Sequence, residues 1–366
     1  MSSAPKPSHE IPAAQLAAEE PSAIRKLWPV ALLFLVAALL WAFRHRIAFD
    51  PHTFAQQLRF VSPVNVLLAL VAIYIGFLLR ATRWAILLAP VRKSGTGELL
   101  PSQLIGFTAV ALFGRVADLA RPYLVARRLN TPVATQLAVY SIERAFDLAA
   151  AAILFSVTLA FAPRDMPHHE AFTRAGVVSL AATLFLAAFA ATIRFAGDRL
   201  AALAGRLLNP ISAKLAGTVA ERILDFREGF RTIASAGQFF AALAVSLVIW
   251  LGIAITYLES ARAFKADAVL GSMTFTGIML LLATSLGASL FQLPVLGWFT
   301  QIAALATTYH TFYNVPLETA SACGTISLIT TSLSIIPAGL IAARLQGVSL
   351  RDASRTAGAP APETPV

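Results

Sequence analysis

The sequence predicts an all-α polytopic membrane protein with about eight transmembrane helices plus a re-entrant hairpin. Three observations carry this. Only 13% of the 366 residues are charged and 57% are hydrophobic, whereas soluble domains carry about a quarter charged residues. The apolar residues come in continuous runs rather than in alternation, which suits helices and not a barrel. The basic residues, in excess by a formal charge of +10, cluster beside those runs, the pattern of cytoplasmic loops facing anionic lipid. With no long basic tail and no aromatic-interleaved basic patch, nucleic acid is set aside. Membrane lipids with anionic headgroups are the expected partners.

Residues 1–26 are rich in Pro, Ser, Ala and Glu and read as a disordered cytoplasmic tail. The tail is too polar and too long to be a typical signal peptide. Arg25 and Lys26 precede the first apolar run, about 27–43, so that helix starts inside. The second run is about 64–79 and continues as "RATRWAILLAP". A shorter piece, "QLIGFTAVALF" at 103–113, comes next. Runs at about 132–162 and 175–193 follow, then a basic, amphipathic stretch at 194–231. Further runs lie near 235–258, 269–293, 295–313 and 319–343. The chain becomes polar again over 347–366, a second disordered cytoplasmic tail, so 27–346 is the membrane domain. The rule that basic residues stay inside is broken at 44–62, where Arg44, Arg46 and Arg59 fall outside.

The piece at 103–113 is too short to cross. At 1.5 Å per residue it reaches only about 16 Å of the roughly 30 Å of hydrocarbon. Arg92 and Lys93 precede it; Arg115, Arg121, Arg127 and Arg128 follow it. If the piece crossed, one basic group would lie outside; if it turns back, both stay inside. Length and charge together predict a re-entrant hairpin at about 103–128, with Gly106, Gly114 and Pro122 marking its bends.

Two stretches place charge where a membrane disfavours it. "SIERAFDLAA" at 141–150 puts Glu143, Arg144 and Asp147 in an otherwise uncharged helix, with Glu143 and Asp147 four apart on one face. If the helix enters hydrocarbon near 133, Glu143 lies about 15 Å deep, where each charge costs roughly 2.5–3.5 kcal/mol on insertion scales. Such charges need partners. The hairpin's second arm offers Arg115, Asp118 and Arg121 at i, i+3 and i+6, and "LLRATRW" at 78–84 adds Arg80 and Arg83 beside Trp84. One polar cluster inside the bundle is expected: Glu143 and Asp147 hold Arg80, Arg83, Arg121 and Arg115, and the surplus guanidinium takes a phosphate oxygen.

Blander readings stand beside this one. Arg80 and Arg83 could snorkel to the interface near Trp84. Glu143 and Asp147 could form a purely structural ion pair with Arg144. Arg127 and Arg128 read as markers of the cytoplasmic side. "FQLPVLGW" at 291–298 reads either as a broken helix lining a cavity or as a tight turn between spans.

Nothing points to an enzyme: there is no phosphate-binding glycine loop, no His/Asp metal constellation and no nucleophile elbow. Cys323 is the single cysteine, so an intrachain disulfide is excluded. His168 and His169 adjoin in a loop without helical spacing to a partner. No cofactor or metal is expected.

"RATRW", then the short apolar piece, then "GRVADLARPYLVARR" and "SIERAFDLA", resembles the lysylphosphatidylglycerol synthase transmembrane, or flippase-like, family over roughly 27–346. Ala117 to Arg121 matches the family's acid-x-x-Arg segment, and Glu143 to Asp147 its Glu-Arg-x-x-Asp helix. The family's glycine-rich turn is not kept: this chain has Leu293, Pro294, Val295, Leu296, Gly297 and Trp298, with Gln301 where an acid is expected. The resemblance implies movement of lipids or lipid-linked molecules between leaflets of a bacterial inner membrane. Aminoacyl transfer is not expected, because nothing after 346 resembles the synthases' soluble domain. The alternative is a non-transporting scaffold or accessory subunit of a lipid or envelope biosynthetic enzyme. A homo-oligomer or such an enzyme is then a possible partner.

Overall fold

Asp50 caps the first described helix. Its carboxylate accepts the His52 and Thr53 amides at 2.9 and 3.2 Å, satisfying two donors that a helix start leaves unpaired. The Thr53 hydroxyl and those amides hold the Asp50 carboxyl below its ordinary range. The helix it starts, α1 (Pro51–Arg59), lies in a stretch that the sequence reads as loop. A computed structural model describes residues 50–161, 169–210, 212–213, 215–221, 235–279, 281–282 and 296–348. These residues are helical, with no strand among them. The run at 27–43, residues 1–26, His168 and most of 291–298 lie outside the described residues.

After Pro63, the run at 64–79 and "RATRWAILLAP" form one 26-residue helix, α2 (Pro63–Leu88), about 39 Å long. Val64, Leu67, Leu68, Val71, Ile75 and Leu78 are exposed along it, a stripe at helical spacing. A lipid solvent suits such a face; water does not. The helix α3 (Thr96–Phe113) is longer than the 11-residue apolar piece, because it begins in the polar turn around Glu98. Gly114 ends it with φ 75°, a conformation open to glycine. A 3-10 turn, Arg115–Leu119, leads into α4 (Ala120–Leu129). Pro122 falls in the first turn of α4, where a missing N–H is harmless.

The 28-residue α5 (Val133–Ala160) matches the expected run at 132–162. The run at 175–193 does not end where its hydropathy drops. The helix α6 (His169–Leu208) continues through it, with a break at Ala196 (φ −130°, ψ 23°). Gly176 lets α6 touch α5, since a Cβ there would lie 2.4 Å from the Ala160 amide nitrogen.

Among the described helices, α7 (Ala236–Arg262) and α2 form the most extensive pairing. Small residues allow it: Gly252 lies over the Ala72 carbonyl and Thr256 donates to the Ala69 carbonyl at 3.3 Å. Lipid gives helices no hydrophobic reason to associate, so close packing of this kind must do so. A short α8 (Ala268–Gly271), capped by Asp267, leads to α9 (Leu296–Tyr313).

The last span runs Leu317–Leu345 as α10 (Leu317–Leu328), a π-helical turn Ile329–Leu333, and α11 (Ile335–Leu345). The widened turn lets α11 start afresh, so Pro337 sits in a first turn and interrupts no hydrogen bond. Gly339 packs α11 on α3, where a Cβ would meet Thr108. Among the described residues three helices are long and apolar enough to cross a membrane: α2, α7 and Leu317–Leu345. The equally long α5 carries Glu143, Arg144 and Asp147 in its middle.

Among the described residues the two larger of four apolar clusters organise the bundle. One joins α7, α9 and α10 around Tyr309 and the free, buried Cys323. The other joins α2, α4, α5 and α7 around Trp84, Leu88, Val125 and Phe146. The charged site borders the second.

Candidate functional site

Arg83 of α2 is fully buried, and its fork explains the four-residue spacing on α5. Its Nη2 meets Glu143 Oε1 and its Nη1 meets Asp147 Oδ1, each at 2.6 Å. One planar guanidinium thus bridges two carboxylates one turn apart. The same Nη1 donates to Ser246 Oγ of α7 at 2.8 Å.

Arg121 of α4, also fully buried, reaches Glu143 from the other side, its Nη1 lying 3.2 Å from Oε2. Its Nε donates to Asp118 Oδ1 at 2.9 Å, and Nη1 also faces Gln103 Oε1 of α3 at 3.3 Å. Gly106 makes room: a Cβ there would lie 2.1 Å from Arg121 Cγ. The bend expected at Gly106 is therefore absent. This glycine sits inside a regular helix because an arginine stem lies across it.

Arg144, 35% exposed, forms the outer edge. It meets Asp147 at 2.8 Å and Glu143 at 3.1 Å. Tyr140 donates its hydroxyl to Asp118 Oδ2 at 2.6 Å and lies under both Arg121 and Arg144.

Three guanidinium groups thus face three carboxylates, so the network is neutral. Every oxygen of Asp118, Glu143 and Asp147 is engaged. Donors are in excess. Arg83 Nε, Arg121 Nη2, Arg144 Nε and Gln103 Nε2 are buried with no acceptor among the described residues. A buried pair must offset several kcal/mol of desolvation per ion, which is why the charges are interlocked and not scattered.

The structure brings together Arg83, Asp118, Arg121, Glu143, Arg144 and Asp147. It does not bring in the other two candidates. Arg80 makes no hydrogen bond or ion pair with any described residue; it stacks on Phe77 and Phe107, 5.5 and 5.2 Å from their ring centres. Arg115 is exposed and does not reach Glu143 or Asp147. It opens the 3-10 turn that follows Gly114. The expected arginine surplus lies outside the ion network.

Snorkelling is overturned for Arg83, because both it and Trp84 are fully buried. Trp84 is no interfacial anchor; its indole donates to Gln136 Oε1 at 2.9 Å. The Arg144 pairing of the structural alternative is present. Sequence reasoning missed Gln103, Tyr140, Ser246 and Phe107. Gln103 and Ser246 had a signal, since each is a polar residue in an apolar helix. Phe107 had none. Among the described residues no cluster of side chains could hold a metal ion.

The family model described as the lysylphosphatidylglycerol synthase TM region matches residues 28–339. No curated protein and no solved structure matches the chain. The match covers the helices that carry Arg83, Arg121 and the Glu143 to Asp147 turn: the chain belongs to the lysylphosphatidylglycerol synthase TM region family.

Proposed function

We propose that this membrane protein moves an anionic phospholipid or lipid-linked molecule between leaflets. The family points to a membrane-embedded, lipid-related role. The observation that carries the finer reading is the excess of buried guanidinium and amide donors around carboxylates whose oxygens are all engaged. An oxygen-rich anionic headgroup is the ligand such donors suit. Glu143 then acts as the internal competitor: when α4 and α5 separate, Arg83 and Arg121 exchange its oxygens for the headgroup's.

The proposed topology keeps eight spans, both termini in the cytoplasm and a bacterial inner membrane. Within it α3 and α4 form the re-entrant pair. The 18-residue α3 covers about 27 Å and the 10-residue α4 about 15 Å, half the hydrocarbon, so the short α4 and the basic residues that flank the pair on both sides carry the re-entrant reading. The chain acts without a chemical step of its own, as a transporter and not an enzyme.

The test uses purified full-length protein in liposomes, following fluorescent phospholipids between leaflets by chemical quenching. Movement favouring anionic over zwitterionic headgroups is expected, lost in Arg121→Ala and reduced in Arg121→Lys, with folding checked by thermal unfolding in detergent. A second reading, the membrane scaffold or accessory subunit, is favoured by the network's exact charge balance. No lipid movement by folded wild-type protein would put that reading first.

A further inference from the structure

Arg80 lies three residues before Arg83 on the same helix, yet its surroundings are of another kind. It is half-buried, its Nη1 is sealed from the surface, and no described residue accepts from it. Its guanidinium folds back along α2 over Gly76, whose missing Cβ would stand 3.4 Å from Nη1. Phe77 and Phe107 hold it in place through their ring faces, an attraction that keeps a cation charged without supplying a counter-ion. Phe107 also lies 4.5 Å below Arg121, so a single ring contacts both the neutral network and the unneutralised arginine.

Arg80 lines a cavity of about 170 Å³ between α2, α3 and the last span. The opposite wall carries Thr331 and Ser332 from the π-helical turn and Ile335 from α11. Thr331 spends its hydroxyl proton on the Ser327 carbonyl at 2.6 Å. Ser332 Oγ lies 3.4 Å from Thr331 Oγ1, a long contact that leaves its proton able to turn into the cavity. π-Helical turns re-aim side chains in this way and recur at functional sites. The volume is below the roughly 300–1,000 Å³ that encloses a drug-sized molecule. It holds one small charged group, with any attached chains left outside.

From this geometry we infer that the Arg80 cavity is a second phosphate-binding subsite beside the ion network, with the Ser332 hydroxyl as second donor. The source of that phosphate as a lipid headgroup rests on the translocation reading above; free inorganic phosphate has the same chemistry. The apolar walls strengthen a charge-assisted bond made there. The network also positions α2 against α4 and α5, so that Phe107 and Arg80 face the cavity.

The experiment measures binding by calorimetry to full-length protein in detergent. The probes are dihexanoyl phosphatidylglycerol, dihexanoyl phosphatidylcholine, inorganic phosphate and dihexanoylglycerol, which lacks phosphate. Both phosphate lipids should bind and the diacylglycerol should not. Arg80→Gln should raise Kd roughly tenfold or more, as loss of a charge-assisted hydrogen bond does. Ser332→Ala should weaken binding less, and Arg127→Gln, on the surface, should leave it unchanged. Arg80-dependent binding of inorganic phosphate as tight as that of lipid supports the site and names free phosphate as its source. Wild-type affinity in Arg80→Gln, or equal binding of the diacylglycerol, overturns it. Leaflet movement in liposomes separates the two proposals. Wild-type rates in Arg80→Gln remove this site and leave translocation standing. Arg80-dependent binding without movement does the reverse.

Discussion

Arg83 and Arg80 share one helix and lie three residues apart, but one is enclosed by carboxylates and the other by aromatic rings. Arg83 is held by Glu143, Asp147 and Ser246; Arg80 has only the faces of Phe77 and Phe107. The first arrangement spends its charge on joining helices. The second leaves its charge unspent beside a cavity. An intramembrane arginine is thus not one kind of feature: its counter-ions decide how much of its charge is already spent on joining helices.

The comparison breaks most easily at Glu143, which meets Arg83, Arg121 and Arg144 at once. Glu143→Ala leaves two fully buried guanidinium groups short of their shared carboxylate. A loss of about 3–5 kcal/mol is expected, read from reversible unfolding in mixed micelles. A variant as stable as wild type would show that the network does not hold the bundle together.

A smaller effect is expected at Gly106. On an open helix surface Gly→Ala stabilises by about 1 kcal/mol. Here the added methyl meets the Arg121 stem, so Gly106→Ala should instead destabilise by about 1–3 kcal/mol. The sign alone decides whether Arg121 lies across α3.

The smallest change in stability belongs to Arg80. With no counter-ion to lose, Arg80→Gln should shift stability by less than about 1 kcal/mol, in either direction. A loss as large as that of Glu143→Ala would make Arg80 a structural residue like Arg83 and erase the contrast.

Much of this was legible in advance. The composition and runs gave the helical membrane class, and the run at 132–162 gave α5 nearly to the residue. The spacing of Glu143 and Asp147 announced a shared face, and Asp118 and Arg121 stood out as charged neighbours on the hairpin's second arm. Boundaries failed where hydropathy and helix differ. Glu98 sits inside α3 although it is polar, because a helix runs until its backbone breaks, here at Gly114. The α6 helix runs past 193 because nothing before Ala196 interrupts its hydrogen bonds. Gly106 looked like a bend because a sequence does not show what lies over a missing side chain.

The sequence by itself determined the solvent and the secondary structure. A chain of uncharged runs must satisfy its backbone internally, and helices do so whatever their neighbours are. It also determined that Glu143, Arg144 and Asp147 needed partners, because hydrocarbon tolerates no isolated charge. Only the tertiary structure decided which arginine each carboxylate received. Guanidinium groups at 80, 83, 115 and 121 were equally available by type. Interhelical distance and direction brought Arg83 and Arg121 to Glu143, turned Arg80 onto Phe77 and Phe107, and left Arg115 exposed.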